Sequence, residues 1–419
     1  MNRRIRNGTV LAAALTIVAL TLAGCTAPAP SDDAPAELDT TPTELPAVDC
    51  VEPDPAATLT PVSLQLQWLA QAQFAGYYAA DCLGYFAEQG LDVTIVPLPG
   101  FDAVPQNILA EGQADYAVAW VPKVLGSIEA SGLELTNIAQ IFQYSGTMQV
   151  AYADSGIESV ADFEGSAIGS WGFGNEWEIF AAMTAEGVDT TSVEIVQQAF
   201  DMSALLNGDV DAAEAMSYNE WAQVLETENP DEPGTLYTED DFSTINYADT
   251  RGGMLQDAIW ARTSDLADPA FEAQTVAFLT AALKGWIYTR DNPEEGASIA
   301  YAAALDAIAA VEEDPDAGLG AFPVGPGHQL WQMNEVNKLV WPSSQGIGIV
   351  DANAWAQTVE GALASTNQDG QKLITVEPAE STYTNDYVLQ ALAALEAEGL
   401  DTTGEGFTPI TVILKLGGI

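Results

Sequence analysis

The sequence predicts an α/β protein, and two observations support this class. Segments of alternating or wholly apolar residues, such as "VSLQLQW" and "ADYAVAW", have the pattern of strands. Segments with helical periodicity that end in glycine, such as "FAGYYAADCLGYFAEQG", come between them. Strands that alternate with helices predict parallel sheets covered by helices. Because 48% of the 419 residues are apolar, the chain can form two or three domain-sized cores.

The elements follow one another in two series. The first series continues with strands in "LDVTIVPLPG", "LTNIAQIFQ" and "TMQVAYADS", and with helices in "VPQNILAEGQ" and "PKVLGSIEASG". The second has strands in "SAIGSW", "VEIVQQAF" and "VDAAEAM", with helices in "SVADFEG", "EWEIFAAMTAEG" and "DMSALLNG". After an acidic insertion at residues 228–240, "GGMLQDAIWAR" is strand-like, and five helical segments complete the chain. No repeat of fixed period is present.

The first 60 residues have the composition of a leader and a linker. Residues 1–25 contain three early arginines, an apolar stretch and then Leu-Ala-Gly-Cys, which resembles the lipobox of bacterial lipoproteins. We therefore predict a lipoprotein signal peptide at 1–25 with lipidation at Cys25; a plain secretory signal is the alternative. Residues 26–60 are rich in Pro, Ala, Thr and acidic residues, which predicts a flexible tether. The expected location is the extracytoplasmic face of the cell membrane, with a lipid anchor as the sole membrane contact.

Cysteine and histidine usage limits the chemistry. Cys50 and Cys82 remain after Cys25 is set aside, and an even pair in an oxidising compartment predicts a disulfide, with two unpaired thiols as the alternative. The chain has one histidine, His328, and no Cys/His spacing typical of a metal site. We expect no metal, no cofactor and no catalytic residue.

The charge is strongly negative. The chain has 61 acidic and 11 basic residues, and without the three arginines of the signal the net charge is −53. Nucleic acid is therefore excluded as a partner. A strongly anionic ligand is disfavoured because no basic residue is expected in the binding cleft.

Five segments resemble one family. They are "QWLAQAQFAGYYAADCLGYFAEQGLDVTIVP", "EGQADYAVAW", "SVADFEGSAIGSW", "NGDVDAAEAMSYNEW" and "KGWIYTRDNPEEG". In order and spacing, from Val62 to about Gly296, they are similar to solute-binding proteins of ABC importers, in the superfamily of thiamine pyrimidine-precursor binding proteins and pyrimidine synthases. Related members bind riboflavin, sulfonates, nitrate or pyrimidines on one scaffold.

The resemblance implies a two-lobe periplasmic binding protein-like fold of type II, with a hinge and additional C-terminal helices. Residues 61–145 would form the first part of lobe one and 146–250 lobe two. Residues 251–419 would complete lobe one and add a helical extension that packs on it. It further implies a monomer that captures a small heteroaromatic ligand and presents it to an ABC permease.

Tryptophans mark the expected ligand site. Trp68, Trp120 and Trp171 each follow a predicted strand, and in α/β sheets ligands bind beyond the carboxyl ends of strands. For any single tryptophan, core packing is an equally good interpretation. Three at equivalent positions favour a cleft in which a planar heterocycle is stacked.

Further residues complete the predicted site. Amide and carboxylate side chains near the tryptophans can bond to the edge of a heterocycle, and Tyr144 and Ser145 lie where the resemblance implies a crossing between lobes. "WGFGNEWE" is interpreted as a tight turn that exposes Trp171 and Glu176, a phosphate cradle being the alternative, and Glu176 can equally be a charge at a helix start. The predicted ligand-binding residues are Trp68, Gln73, Phe74, Trp120, Tyr144, Ser145, Trp171, Asn175, Glu176, Tyr218 and Asn219.

These observations favour capture of a thiamine-type aminopyrimidine without chemistry. A riboflavin-binding protein is the first alternative; a sulfonate-binding protein and a pyrimidine synthase-like enzyme are further ones. The cysteine- and glycine-containing motif of those synthases is absent from this sequence. A surface adhesin or sensor on the same fold would fit the tether equally well.

Overall fold

A computed structural model describes residues 38–314, 318–322 and 325–419. The predicted signal peptide, Cys25 and the first part of the tether lie outside these residues. Within them, no helix is both long enough and apolar enough to cross a membrane.

The strands form two five-stranded sheets. In chain order they are β1 Thr60–Gln65, β2 Leu91–Val96, β3 Tyr116–Trp120, β4 Leu135–Gln140, β5 Thr147–Tyr152, β6 Ala167–Ser170, β7 Glu194–Gln197, β8 Ala212–Met216, β9 Phe242–Asn246 and β10 Asp257–Arg262. The first sheet has the order β2-β1-β3-β10-β4 and the second β7-β6-β8-β5-β9. We call the parts of the molecule built on them the first and second lobes.

Both sheets are mixed, so the expectation of parallel sheets is wrong for part of each. β1 pairs in parallel with β2 and β3, and β6 with β7 and β8. β10 runs antiparallel to β3 and β4, and β5 antiparallel to β8 and β9. The reason is connectivity: β5 and β10 each enter their sheet directly from the other lobe, without the crossover helix that makes neighbouring strands parallel.

The chain crosses between the lobes twice, at residues 141–146 and 247–256. The domain boundaries expected near 146 and 250 fall in these crossings. β9 was not predicted from the sequence. It is short, lies at an edge of the second sheet and follows the acidic insertion, and only Phe242 and Ile245 of its residues are buried.

Helices cover both sheets. In chain order they are α1 Ala75–Cys82, α2 Tyr85–Glu88, α3 Pro105–Ala110, α4 Val121–Ser131, α5 Trp177–Glu186, α6 Ser203–Leu206, α7 Glu220–Leu225, α8 Pro269–Asp291, α9 Pro293–Glu313, α10 Pro326–Val340, α11 Ala352–Ala364 and α12 Asp386–Ala397. The first predicted helix is divided into α1 and α2 at Gly84, whose φ of 76° lies in the left-handed region that glycine tolerates. The short helix predicted in "SVADFEG" is a 3-10 helix at Val160–Phe163.

The first lobe is packed closely around α1 and α8. A Cβ at Gly285 would lie 2.0 Å from the carbonyl oxygen of Gly76, so these two helix backbones touch. Trp286 of α8 is buried beside Gly76 and meets Tyr77 edge-to-face at 5.6 Å between ring centroids. This packing fixes the start of α1, and with it the loop that follows β1.

The C-terminal helices differ in where they pack. α12 packs on α8 of the first lobe, as predicted. α11 contacts both α4 of the first lobe and α5 of the second, so the assignment of the whole extension to the first lobe is wrong for α11. Thr358 of α11 accepts a hydrogen bond from the backbone N–H of Leu255, in the second crossing, at 2.9 Å. This helix therefore spans the junction.

The described part of the expected tether, residues 38–60, lies against the folded body. Cys50 and Cys82 form a disulfide, the pairing expected from the sequence, which joins this segment to the end of α1. Ser298 donates a hydrogen bond to the carbonyl of Pro46 at 2.7 Å, and Thr43 donates one to the carbonyl of Ile419 at 2.9 Å. Residues from Thr43 to Cys50 are therefore held by specific contacts.

Candidate functional site

A cavity of about 590 Å³ lies between the lobes. Its walls are the segments that follow β1, β2 and β3 in the first lobe and β6, β7 and β8 in the second. Most of these segments follow the carboxyl ends of parallel strands, which is where ligands bind in open α/β sheets. Leu373, from the segment after α11, completes the lining.

The cavity brings together seven of the predicted residues. They are Trp68, Gln73, Trp120, Trp171, Asn175, Tyr218 and Asn219. All but Trp68 are less than a tenth exposed. Their role in ligand binding remains a prediction, but the topology that suggested them does place their side chains at one cavity.

Four predicted residues do not line the cavity. Phe74 is fully buried in the first-lobe core, because the turn it closes points it inward. Tyr144 is 49% exposed on the first crossing, and Ser145 accepts a hydrogen bond from Gln256 at 3.1 Å beneath it. Glu176 accepts a hydrogen bond from the backbone N–H of Gly174 at 2.9 Å.

Aromatic rings from both lobes meet at the cavity. Trp68 of the first lobe lies edge-on to Phe200 of the second, with 4.7 Å between ring centroids. Phe101 stacks on the same Phe200 at 5.2 Å, and Trp171 is nearly parallel to it at 6.4 Å. Phe101 and Phe200 follow β2 and β7, so they share the strand-end position of the tryptophans, although they are not among the predicted ligand-binding residues.

The Trp120 ring is fixed by a buried carboxylate. Its Nε1 donates to Oδ1 of Asp257 at 2.9 Å, and Gln73 Nε2 donates to the other oxygen at 3.0 Å. Gln67 Nε2 also donates to Asp257. Burial raises the pKa of Asp257 to about 7, although these three hydrogen bonds oppose the shift. Asp257, at the start of β10, is therefore the acceptor around which this wall is organised.

The second lobe has a comparable carboxylate with fewer partners. Glu214, buried in β8, accepts from Ser170 Oγ at 2.7 Å and from the backbone N–H of Trp171 at 2.9 Å. Both bonds go to Oε2, and Oε1 has no partner among the described residues. Burial, together with nearby Glu176 and Glu178, raises the pKa of Glu214 to about 8. The indole Nε1 of Trp171 likewise has no partner in the described part of the chain.

A polar relay connects the cavity wall to α10. His328 is fully buried; its Nε2 lies 2.9 Å from Asn219 Oδ1 and its Nδ1 3.0 Å from a carboxylate oxygen of Glu226. Asn219 Nδ2 donates to Glu220 at 2.8 Å, and Met216 N–H donates to the other oxygen of Glu220 at 2.9 Å. Burial raises the pKa of Glu220, which lines the cavity, to about 7. The relay thus presents a carboxyl group to the ligand space.

Lys123 lines the cavity, so the expectation that the cleft lacks basic residues is wrong. It lies in the first turn of α4, three residues after Trp120, and its Nζ is 4.6 Å from the centroid of that ring. Burial lowers the pKa of Lys123 to about 8, although Glu214 and other acidic residues oppose the shift. The sequence feature that could have identified Lys123 is its position at a predicted helix start, three residues after Trp120.

The "WGFGNEWE" turn exposes a residue other than those expected. Gly172, Phe173 and Gly174 have φ values of 74°, 55° and 88°, and the turn leaves Phe173 67% exposed, whereas Trp171 is 4% exposed. The N–H of Gly172 donates to Ser170 Oγ, and the N–H of Gly174 donates to Glu176. Because these donors are engaged, one of them by a carboxylate, the turn does not form a phosphate cradle.

The described residues contain no cluster of three or more His, Cys, Asp or Glu side chains able to hold a metal ion. The buried acids described above instead accept from side-chain amides, one indole, one hydroxyl and backbone N–H groups. The arrangement can stack a planar molecule and bond to its edge.

Comparison with known proteins gives consistent matches. A model of the family described as NMT1/THI5 like matches residues 71–296. Riboflavin-binding protein RibY of Chloroflexus aurantiacus is 26% identical over 379 residues, covering 86% of this chain and 95% of that protein. A formylaminopyrimidine-binding protein of Halalkalibacterium halodurans is 26% identical over 243 residues, covering 58% and 70%.

A solved structure supports the fold. It is named as a periplasmic sulfonate-binding protein of an ABC transporter, from Methylobacillus flagellatus, and has a TM-score of 0.52 and 18% identity. The match covers 86% of this chain and 100% of that protein. The two-lobe α/β fold is therefore that of periplasmic binding proteins.

Proposed function

Because this chain belongs to the NMT1/THI5-like family, we propose that it is the solute-binding component of an ABC importer and captures a planar heteroaromatic vitamin of flavin size. The observation that carries the proposal is the cavity, where three tryptophans from two lobes meet. Offset stacking on an aromatic ring contributes about 0.5–1.5 kcal/mol per pair beyond area burial.

Cavity size favours a flavin over a single pyrimidine ring. The volume of about 590 Å³ is within the roughly 300–1,000 Å³ typical of sites for drug-sized ligands. A tricyclic ring with a sugar-alcohol chain fills such a space, whereas one substituted pyrimidine leaves much of it to water. The riboflavin-binding relative also aligns over 95% of its own length.

A thiamine-type aminopyrimidine is the second candidate. The formylaminopyrimidine-binding relative supports it, and so does Glu220, whose carboxyl oxygens in the cavity wall can accept from an amino group. Enzymatic turnover is disfavoured because the relatives are named as binding proteins, and because His328 is held between Glu226 and Asn219.

We also propose a cellular location and a partner for the protein. A monomer anchored through lipidated Cys25 on the extracytoplasmic face would deliver its ligand to a permease after the lobes close around it. Relatives named as binding proteins support this role over that of an adhesin or sensor. Co-purification of the protein with a permease would support transport, and its failure under ligand-saturated conditions would favour the sensor.

Calorimetric titration of the purified protein tests the ligand class. We expect riboflavin to bind with 1:1 stoichiometry, more tightly than the aminopyrimidine, and taurine not to bind. Trp171→Ala should weaken riboflavin binding at least about tenfold, since it removes a stacking ring. A matched control is Trp355→Ala, because Trp355 is a buried tryptophan that does not line this cavity. Heat of binding with taurine alone would contradict the proposal.

A further inference from the structure

Lys123 differs from the other cations of the described chain. Six of them form ion pairs with carboxylates: Arg251, Arg262, Lys284, Arg290, Lys338 and Lys415. Lys372 donates to the carbonyl of Leu363 at 2.7 Å. Among the described residues, Lys123 Nζ has neither an ion pair nor a hydrogen-bond acceptor, although the protein is strongly acidic. A partly buried ammonium group without an acceptor is costly unless a ligand supplies one.

The surroundings of Lys123 explain why no protein acid pairs with it. Four acids act on it through space: Glu214, Glu176, Asp257 and Glu178. Asp257 is already engaged by three donors. Glu214 accepts two hydrogen bonds at Oε2, and its Oε1, which has no partner among the described residues, is not within hydrogen-bonding distance of Lys123. A Cβ at Gly174 of the second lobe would lie 3.6 Å from Cγ of Lys123. The stem of Lys123 therefore bridges the lobes while its ammonium group stays available to the cavity.

A second unpartnered donor lines the same cavity. Trp171 is 4% exposed, and its Nε1–H has no acceptor in the described residues. Trp120, by contrast, donates its Nε1–H to Asp257. Lys123 of the first lobe and Trp171 of the second thus line one cavity, and each carries a donor that no described residue accepts.

We propose that Lys123 is a specificity-determining residue that selects a ligand whose ring edge carries hydrogen-bond acceptors, such as the paired carbonyls of an isoalloxazine, over an amino-edged pyrimidine. This inference rests on the proposed function and narrows its ligand class. An amino group directed at Lys123 would set donor against donor and leave a buried charge unpaired. Sites built to bond a polar group discriminate strongly against analogues that lack it.

The test compares two lysine variants by calorimetry with riboflavin and with the hydroxymethyl aminopyrimidine of thiamine. Lys123→Met removes the charge but keeps the length of the side chain. Lys338→Met is the matched control, because Lys338 is a lysine paired with Glu335 that does not line the cavity. We expect Lys123→Met to weaken riboflavin binding by roughly 10- to 100-fold, the range of a hydrogen bond to a charged group. Lys338→Met should leave it unchanged.

The pH profile separates a ligand contact from a structural role. Riboflavin affinity of the wild-type protein should fall as the pH rises through about 8, where Lys123 loses its proton. In Lys123→Met the fall should be shallower, because only the buried acids Glu220, Asp257 and Glu214 titrate in that range. Lys123→Arg should retain part of the affinity. Thermal unfolding identifies a variant that fails to fold.

The possible outcomes distinguish the role of Lys123 from the proposed function. Unchanged riboflavin affinity in Lys123→Met overturns the role of Lys123 but leaves heteroaromatic capture intact. Wild-type binding of the aminopyrimidine and not of riboflavin also overturns the inference and supports the second candidate. If the wild-type protein binds neither compound, the proposed function fails, and the inference with it.

Discussion

The two lobes each place a tryptophan at the cavity, but they hold it differently. In the first lobe, Trp120 donates its indole N–H to Asp257, whose oxygens accept from three side chains. In the second, Glu214 accepts from the backbone N–H of Trp171 but not from its indole. The indole N–H of Trp171 and the oxygen Oε1 of Glu214 have no partner among the described residues. The network around the Trp120 indole is satisfied, whereas polar groups around Trp171 remain unpaired.

The pH dependence of stability is expected to give the largest effect. Burial raises the pKa of Asp257 from 3.8 to about 7 and that of Glu214 from 4.5 to about 8. The folded state therefore binds more protons than the unfolded state across this range, so stability is fully present below the unfolded pKa values and is lost as the pH rises. Chemical denaturation should show the free energy of unfolding falling by several kcal/mol between pH about 5 and about 8.

The same profile distinguishes the lobes. Glu214→Gln should flatten the slope up to pH about 8, whereas Asp257→Asn should flatten it only up to about 7. Above pH 8 the free energy of unfolding should rise again with pH. Burial lowers the pKa of Lys123 to about 8, so the folded state releases this proton at a lower pH than the unfolded state does. A protein more stable at pH 8 than at pH 5 would contradict both carboxylate assignments.

Removing each carboxylate should have unequal effects. Asp257→Ala leaves Gln67, Gln73 and Trp120 without an acceptor, and at 1–3 kcal/mol for each unpaired buried group it should destabilise the fold by at least about 3 kcal/mol. Glu214→Ala leaves two donors without an acceptor and should destabilise the fold by a smaller amount. Urea unfolding at pH 6 measures both. Equal losses would mean that the number of partners does not explain the difference between the walls.

Exchanging indole for phenyl should separate stability from binding. Trp120→Phe removes a donor that Asp257 uses, so we expect a loss of about 1 kcal/mol of stability. Trp171→Phe removes an N–H without a protein partner, so stability should hold while ligand affinity falls by about fivefold to tenfold. Unfolding and calorimetry, carried out on both variants, measure these opposite effects on stability and on ligand affinity. The reverse pattern would show that Trp171 is the structural residue.

The smallest effects are expected where predicted site residues lie outside the cavity lining. Glu176→Gln and Tyr144→Phe should each change stability by less than about 0.5 kcal/mol, as is usual for surface positions. Ligand affinity should stay within about twofold for both. A tenfold loss in either variant would move the site toward the first crossing or toward the start of α5.

Topology made the tryptophans predictable from sequence, and side-chain direction limited the rest. A residue that follows a parallel strand reaches the sheet edge whatever its neighbours, which is why Trp68, Trp120 and Trp171 share a cavity. Phe74 follows no such rule, because a one-residue rotation of its turn decides whether it faces the cavity or the core. Lys123 was overlooked for a related reason: a helix start was identified, but not the face that it turns to the site.

Long-range pairing was also beyond the sequence. Glu214 stands in an apolar strand, and the pattern of "DAAEAM" does not reveal that Ser170 and Trp171 would meet it 44 and 43 residues upstream. Likewise, α11 reads as an ordinary amphipathic helix, and nothing in its periodicity indicates that it contacts both lobes. Both features depend on how separate segments meet.

The position of the one histidine has a practical consequence for spectroscopy. His328 is carried by α10, which packs on the first lobe, while both of its ring nitrogens face groups of the second, Glu226 and Asn219. A sample with isotopically labelled imidazole would give a single pair of nitrogen resonances. Parting of the lobes would shift both signals together, whereas a turn of the Asn219 amide alone would shift one.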